Sequence, residues 1–297
     1  MNRGIWSAIG AYTLWGLFPV YFKWLAQVPA LELIGHRIVW SCLMLCGVIV
    51  LARQWRAFRE HALQFKVIRS YLLAALLISI NWLVYVWAVV SGFIIEASLG
   101  YFINPLISVL MAVILLHERL RRWQWVAVSL AVLGVVYLTV LHGTLPWIAL
   151  ALAFSFAFYG LIKKKSPLGA LFGLTLETGI LLLPATVYLL ILESDGTGAF
   201  LHSGTTIDLL LLGSGLVTCA PLLLFAAAAK RIPLALLGIL QYIGPTLQFL
   251  IAILIYHEPF TVNKLIGFAI IWTALLIFAI EGLLVRRAQA EPAAEPL

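Results

Sequence analysis

Long apolar runs broken by short polar or basic segments recur along the whole chain. Each run is about 17–25 residues, the length a helix needs to cross about 30 Å of hydrocarbon. The pattern predicts ten helices, at about 4–22, 32–52, 71–91, 97–116, 125–141, 146–162, 171–192, 208–228, 234–255 and 265–285. A transmembrane barrel would instead show short alternating segments with polar inward positions. The expected fold class is therefore an all-α membrane protein.

Composition agrees with the pattern. Of all residues 64% are hydrophobic and only 10% charged, with a mean hydropathy of +1.08. A soluble domain carries roughly 25% charged residues, so this chain lacks the polar cover a water-facing surface needs. The first run passes from Arg3 through Trp15, Phe18 and Phe22 to Lys23 with no small-residue cleavage pattern, and reads as an uncleaved span. Cys42, Cys46 and Cys219 all lie inside apolar runs, so no disulfide framework and no metal spacing is expected.

Charge orients the helices. With the N-terminus inside, the inner connections collect Arg3; Arg53, Arg56, Arg59, Lys66 and Arg69; Arg119, Arg121 and Arg122; Lys163 to Lys165; Lys230 and Arg231; Arg286 and Arg287. The outer connections hold only Lys23 and Lys264, and Arg37 lies within a span. This bias is the positive-inside pattern, and it places both termini in the cytoplasm. The net charge of +7 then reports orientation, not nucleic-acid binding. Residues 286–297 read as a disordered cytoplasmic tail.

One sentence is written twice. ASLGYFINPLISVLMAVILLHE (97–118) returns in LQYIGPTLQFLIAILIYHE at an offset of 140 residues, pairing Ile103 with Ile243, Pro105 with Pro245, His117 with His257 and Glu118 with Glu258. The chain thus divides into two five-helix repeats, 1–141 and 146–285. Five is odd, so the second repeat is inverted, with Glu118 inside and Glu258 outside. Inverted repeats are the architecture of many secondary transporters. Pro105 and Pro245 fall about 12–17 Å along their helices, near mid-membrane. Bends there are tolerated where a neighbour or cavity satisfies the freed carbonyl, so each marks either a kink beside a cavity or a bend that only shapes packing.

The P…HE frame in two five-helix halves resembles the EamA-type drug/metabolite transporter superfamily. HRIVWS (36–41), NWLVYVWAV (81–89), EASLGYFINPL (96–106), SFAFYGL (155–161) and LQYIGPTLQF (240–249) resemble its RarD-like branch more narrowly. The resemblance covers nearly the whole chain. It implies a bacterial inner-membrane permease of ten helices, in a family associated by name with chloramphenicol sensitivity, with relatives that export amino acids or other metabolites.

Polar residues inside the spans are the candidate substrate site. A central Arg costs about 2.5–3.5 kcal/mol on insertion scales, so Arg37 either snorkels or pairs with Glu32 or Glu96, or binds a substrate anion through its planar fork. Glu177 stands at the position equivalent to Arg37. It is a candidate proton carrier, a partner for Arg37, or a packing residue. His36 is a second proton-coupling candidate or bonds a neighbouring backbone. Asn81, Asn104, Gln241 and Gln248, with Tyr101 and Tyr242, supply neutral hydrogen-bonding groups near mid-depth. Trp15, Trp82, Trp87 and Tyr85 are candidate walls. His117, Glu118, His257 and Glu258 sit at span ends and read as structural caps for orphan backbone N–H groups.

A catalytic reading finds no support. Arg121 and Thr261 stand where H-E-x-x-H needs its second His. Asp195 and Asp208 lie outside or at the membrane edge, and connections are too short for a nucleotide-binding domain. The expected function is secondary active transport of a small organic metabolite or drug-like molecule, by alternating access, proton-coupled or by exchange; a passive facilitator is the alternative. No cofactor and no metal is expected. The partners are a small-molecule substrate and the lipid bilayer, no nucleic acid, with a homodimer left open.

Overall fold

A computed structural model describes residues 2–116, 120–142, 145–165, 167–229, 231–232 and 240–290. His117 and Glu118 lie outside them, as does the tail from 291. Among the described residues every regular element is a helix: α1 (Asn2–Gly16), α2 (Phe18–Trp24), α3 (Ala30–Leu51), α4 (Trp55–Ala62), α5 (Phe65–Val90), α6 (Ile94–Leu116), α7 (Arg122–His142), α8 (Trp147–Lys165), α9 (Ala170–Ser194), α10 (Thr205–Ala229), α11 (Ile243–Leu254) and α12 (Val262–Ala290). Seven stretches are long and apolar enough to cross a membrane, counting α1 and α2 as one, and α6, α8 and α11 contain shorter apolar stretches. Trp6, Leu133, Leu183, Leu209 and Leu276 are all more than half exposed. Large apolar side chains facing outward on so many helices mark a surface solvated by lipid.

Four elements depart from the periodicity. The first span breaks at Leu17, because Pro19 has no N–H to give the Trp15 carbonyl and its ring crowds that turn. The freed Trp15 carbonyl accepts from Gln248 Nε2 of α11 at 3.1 Å. The basic connection after α3 folds into α4, whose Phe58 and Ala62 are buried while Arg56 and Glu60 pair at 2.8 Å on the outside. Pro105 is interior to α6, whereas Pro245 stands in the first turn of α11 behind a turn at Gln241–Tyr242. There its missing N–H is one of the orphan donors of a helix start. Finally, α12 continues to Ala290, so residues 286–290 are helical and not tail.

The main helix pairings are α1 with α10 and α5 with α8; α3 with α10 and α5 with α9; α1 with α11 and α6 with α8; then α3 with α9, α6 with α11 and α7 with α12. Each joins a helix before residue 143 to one after 146. Exchanging α1–α2 with α8, α3 with α9, α5 with α10, α6 with α11 and α7 with α12 turns this set into itself. Among the described residues the hydrophobic core runs across the seam between the two halves, with smaller contacts such as Phe18, Phe22 and Tyr85 inside the first. Backbones approach closely where small residues allow: a Cβ on Gly100 of α6 would stand 2.8 Å from the Ala149 carbonyl oxygen of α8.

Candidate functional site

Arg37 is the eighth residue of α3, about 10 Å inside its first turn. Pro29 starts that helix, and the residue is 4% exposed. Its Nε donates to Thr218 Oγ1 of α10 at 2.8 Å, and Thr218 in turn donates to the Ser214 carbonyl. The guanidinium lies 4.2 Å from the Trp82 ring, with Phe18 at 5.5 Å and Phe22 at 5.7 Å. Such contacts are worth about 2 kcal/mol when desolvated, which offsets much of the cost of placing the cation here. Among the described residues no carboxylate comes within ion-pair distance of Arg37. Glu32, an expected partner, instead accepts from the Ala199 N–H at 2.6 Å and lies 3.8 Å from His36.

The groups that touch the guanidinium come from α2, α5 and α10. Tyr85 of α5 packs against Phe18, Phe22 and Tyr101, and its buried hydroxyl has no hydrogen-bond partner among the described residues. Tyr101 donates to Asn81 Oδ1 at 3.4 Å, and Asn81 Nδ2 donates to the Leu152 carbonyl and Ser155 Oγ of α8. Asn81 therefore ties α5 to α6 and α8. Nearby, Tyr242 stacks on Phe102, and Asn104 Oδ1 is buried without a partner. Trp15 packs with Tyr12 and Phe225 on the α1–α10 side. Gln241, in the turn ahead of α11, accepts from the Gly244 N–H through its carbonyl.

Glu177 does not meet Arg37. It accepts from Lys163 Nζ at 2.7 Å and from the Tyr159 hydroxyl at 2.9 Å, and its side chain is 1% exposed. Lys163 was read as part of a solvated inner run, yet its ammonium turns inward over the Tyr71 ring at 4.7 Å. The signal that could have found it is the 140-residue offset, which carries Lys23 onto Lys163 as it carries Arg37 onto Glu177. Thr218 offered no such signal. His36 Nδ1 accepts from the Trp40 indole at 3.3 Å, and its ring packs on Phe200.

At the other end of the molecule, His257 adopts φ 49° and turns the chain so that Glu258 reaches α6. The carboxylate accepts from the Ile94 and Ile95 N–H groups at 2.8 and 2.9 Å. The helix it caps is α6, packed against α11 from the other half, not the next in sequence. Burial pushes the Glu258 carboxyl up from its ordinary value, and those two N–H groups, then Lys23 and Lys264, act in the opposite direction. A shallow hollow of about 620 Å³ lies elsewhere, beside α4, lined by Trp55, Arg56, Arg59, Glu60 and Leu63.

Comparison with known proteins now adds to this geometry. The model of the EamA-like transporter family matches residues 2–140. The chain is 47% identical over 290 residues to the uncharacterized transporter YojE of Bacillus subtilis, covering 97% of each. It is 43% identical to Protein RarD of Escherichia coli, over 96% of this chain and 97% of that one. A chloramphenicol-sensitive protein RarD of Pseudomonas aeruginosa is 30% identical, with 97% of each covered. A solved crystal structure at 18% identity superposes with a TM-score of 0.59, over 92% of this chain and 96% of that one, and shows the likeness of fold alone. With near full-length identity to several RarD proteins and seven apolar spans, the chain is a multi-pass membrane transporter and belongs to the RarD-like branch of the EamA-type transporters.

Proposed function

We propose that the protein moves a small organic molecule across the bacterial inner membrane as a secondary active transporter. Ten spans form two inverted five-helix repeats, 1–141 and 146–285, with both termini cytoplasmic, and access alternates around a site near Arg37. The observation that carries this reading is the set of main helix pairings, each of which joins one half to the other and which returns to itself when the halves are exchanged. Two similar halves packed that way can trade conformations at little net energy, and this is what alternating access requires. The buried Arg37 among Trp82, Phe18 and Phe22, with no counter-charge among the described residues, supports the location of the site. Coupling to protons would run through Glu177, which must then release Lys163 as it titrates; exchange would leave that pair intact.

Metabolite profiling of media from cells lacking or overproducing the protein identifies the solute. The solute, reconstituted with the protein in liposomes, should accumulate when unlabelled solute is trapped inside, because a carrier shows counterflow and a passive channel does not. Absence of counterflow overturns the carrier reading. An imposed pH gradient separates proton coupling from exchange, and Glu177→Gln should abolish only the former.

A further inference from the structure

The two halves carry the same site with one charge reversed. The 140-residue offset relates Phe18 to Phe158, Lys23 to Lys163 and Arg37 to Glu177. In the second half the lysine reaches the buried residue directly, with Lys163 Nζ 2.7 Å from Glu177 Oε1. In the first half it does not. Lys23 Nζ lies 3.4 Å from the Val90 carbonyl and 5.5 Å from the Tyr256 ring, while among the described residues Arg37 holds Thr218 and aromatic faces and no carboxylate.

We propose that the transported solute is an organic anion, and that Lys23 and Arg37 clamp it between them. The inference rests on the alternating-access reading, in which each half adopts the other's conformation in turn. When Lys23 meets Arg37 as Lys163 now meets Glu177, an ammonium approaches a guanidinium. Two like charges at contact in a site of low dielectric repel strongly, so the empty site resists closure. A carboxylate between them turns the repulsion into two charge-assisted contacts. The first half thus obtains from its cargo the negative charge that the second half carries as Glu177. The solute becomes a condition of the conformational exchange, since only a ligand bound better by the closed state can shift the equilibrium toward it. The planar fork of Arg37 fits a carboxylate, and the unpartnered Tyr85 hydroxyl is a further donor beside it. Trp82, Phe18 and Phe22 would pack against an apolar or aromatic body behind the anionic head.

The test needs no knowledge of the solute. Arg37→Glu gives the first half the same cation–carboxylate pair as the second, and Lys23→Glu gives it with the polarity reversed. Cys42, Cys46 and Cys219 are replaced, and spin labels are placed at the exposed positions Trp24, beside Lys23, and Phe93, beside the segment Lys23 now holds. The full chain is measured in lipid nanodiscs by pulsed dipolar spectroscopy. Either substitution should move the label separation to a longer second distance, changing the ratio of the two populations about tenfold or more. Adding Lys23→Ala to Arg37→Glu should restore the wild-type distribution. The clamp is overturned if both single variants, monodisperse and helical, keep the wild-type distances, or if the Arg37→Glu shift survives Lys23→Ala. Lys23 lies at the end of its helix, so Lys23→Glu decides the matter even where Arg37→Glu does not fold. Glu118→Cys and Glu258→Cys, labelled from each side of the membrane, test the inverted repeat separately. Opposite sides with unmoved spin labels removes the clamp alone, and the same side removes the reading beneath it.

Discussion

At the residue scale, the protein tolerates buried charge in two distinct ways. Glu177 has a cation and a hydroxyl, and Arg37 has rings and one hydroxyl. Their responses to mutation should differ accordingly. Removing one partner of a buried pair strands the other charge, so Glu177→Gln and Lys163→Met should each lower the melting temperature in detergent. Lys163 keeps 21% side-chain exposure, which limits the loss to about 1–3 kcal/mol for either change. The double variant should lose clearly less than the sum of the singles, and strict additivity would show that the pair contributes nothing. Arg37→Lys should fold yet lose counterflow at least about tenfold, because a point charge cannot hold Thr218, lie flat on Trp82 and present a planar fork at once. Retained transport in Arg37→Lys would show that charge alone suffices.

At the element scale, the helices are held by polar groups that repair specific backbone faults. The break at Pro19 frees a carbonyl that Gln248 satisfies, and the start of α6 frees two N–H groups that Glu258 satisfies. Gln248→Leu should destabilise by about 1–3 kcal/mol, the usual cost of an unpaired buried acceptor. Glu258→Ala should cost about 1–2 kcal/mol as a lost cap, with the faster exchange confined to the first turn of α6 in a hydrogen-exchange measurement. Protection unchanged at Ile94 and Ile95 would contradict the cap. Much of this scale was legible in the chain: the all-helical class and the rough position of the long apolar helices follow from runs of apolar residues, since crossing a membrane is a local property of length and hydropathy. The interfacial helix α4 was not, because WRAFREHA is polar on average and becomes helical by burying Phe58 against Phe172 of a distant helix.

At the scale of the whole molecule, most of the packing among the described helices crosses between the two halves. The main pairings all cross from one half to the other, so residues 1–141 expressed alone should not yield a protease-resistant fold, whereas coexpression with residues 142–297 should restore one. A stable, monodisperse 1–141 fragment would refute that. The close seam of α6 and α8 makes the same point locally: in Gly100→Ala the new methyl meets backbone, not a movable side chain, and should cost about 1–3 kcal/mol as overpacking.

By itself the sequence determined the solvent, the all-helical class and the family, because hydropathy and short blocks such as NWLVYVWAV are written in neighbouring residues. It also set Arg37 and Glu177 140 residues apart, the same offset that separates Pro105 from Pro245, since an offset is arithmetic on one line of text. Only the tertiary structure decided which groups meet. Lys163 and not Arg37 takes Glu177, Glu258 caps a helix more than 160 residues away, and Arg37 keeps no counter-charge among the described residues. Those outcomes depend on which helix ends are brought together and which way each side chain then turns, and no local pattern encodes that geometry.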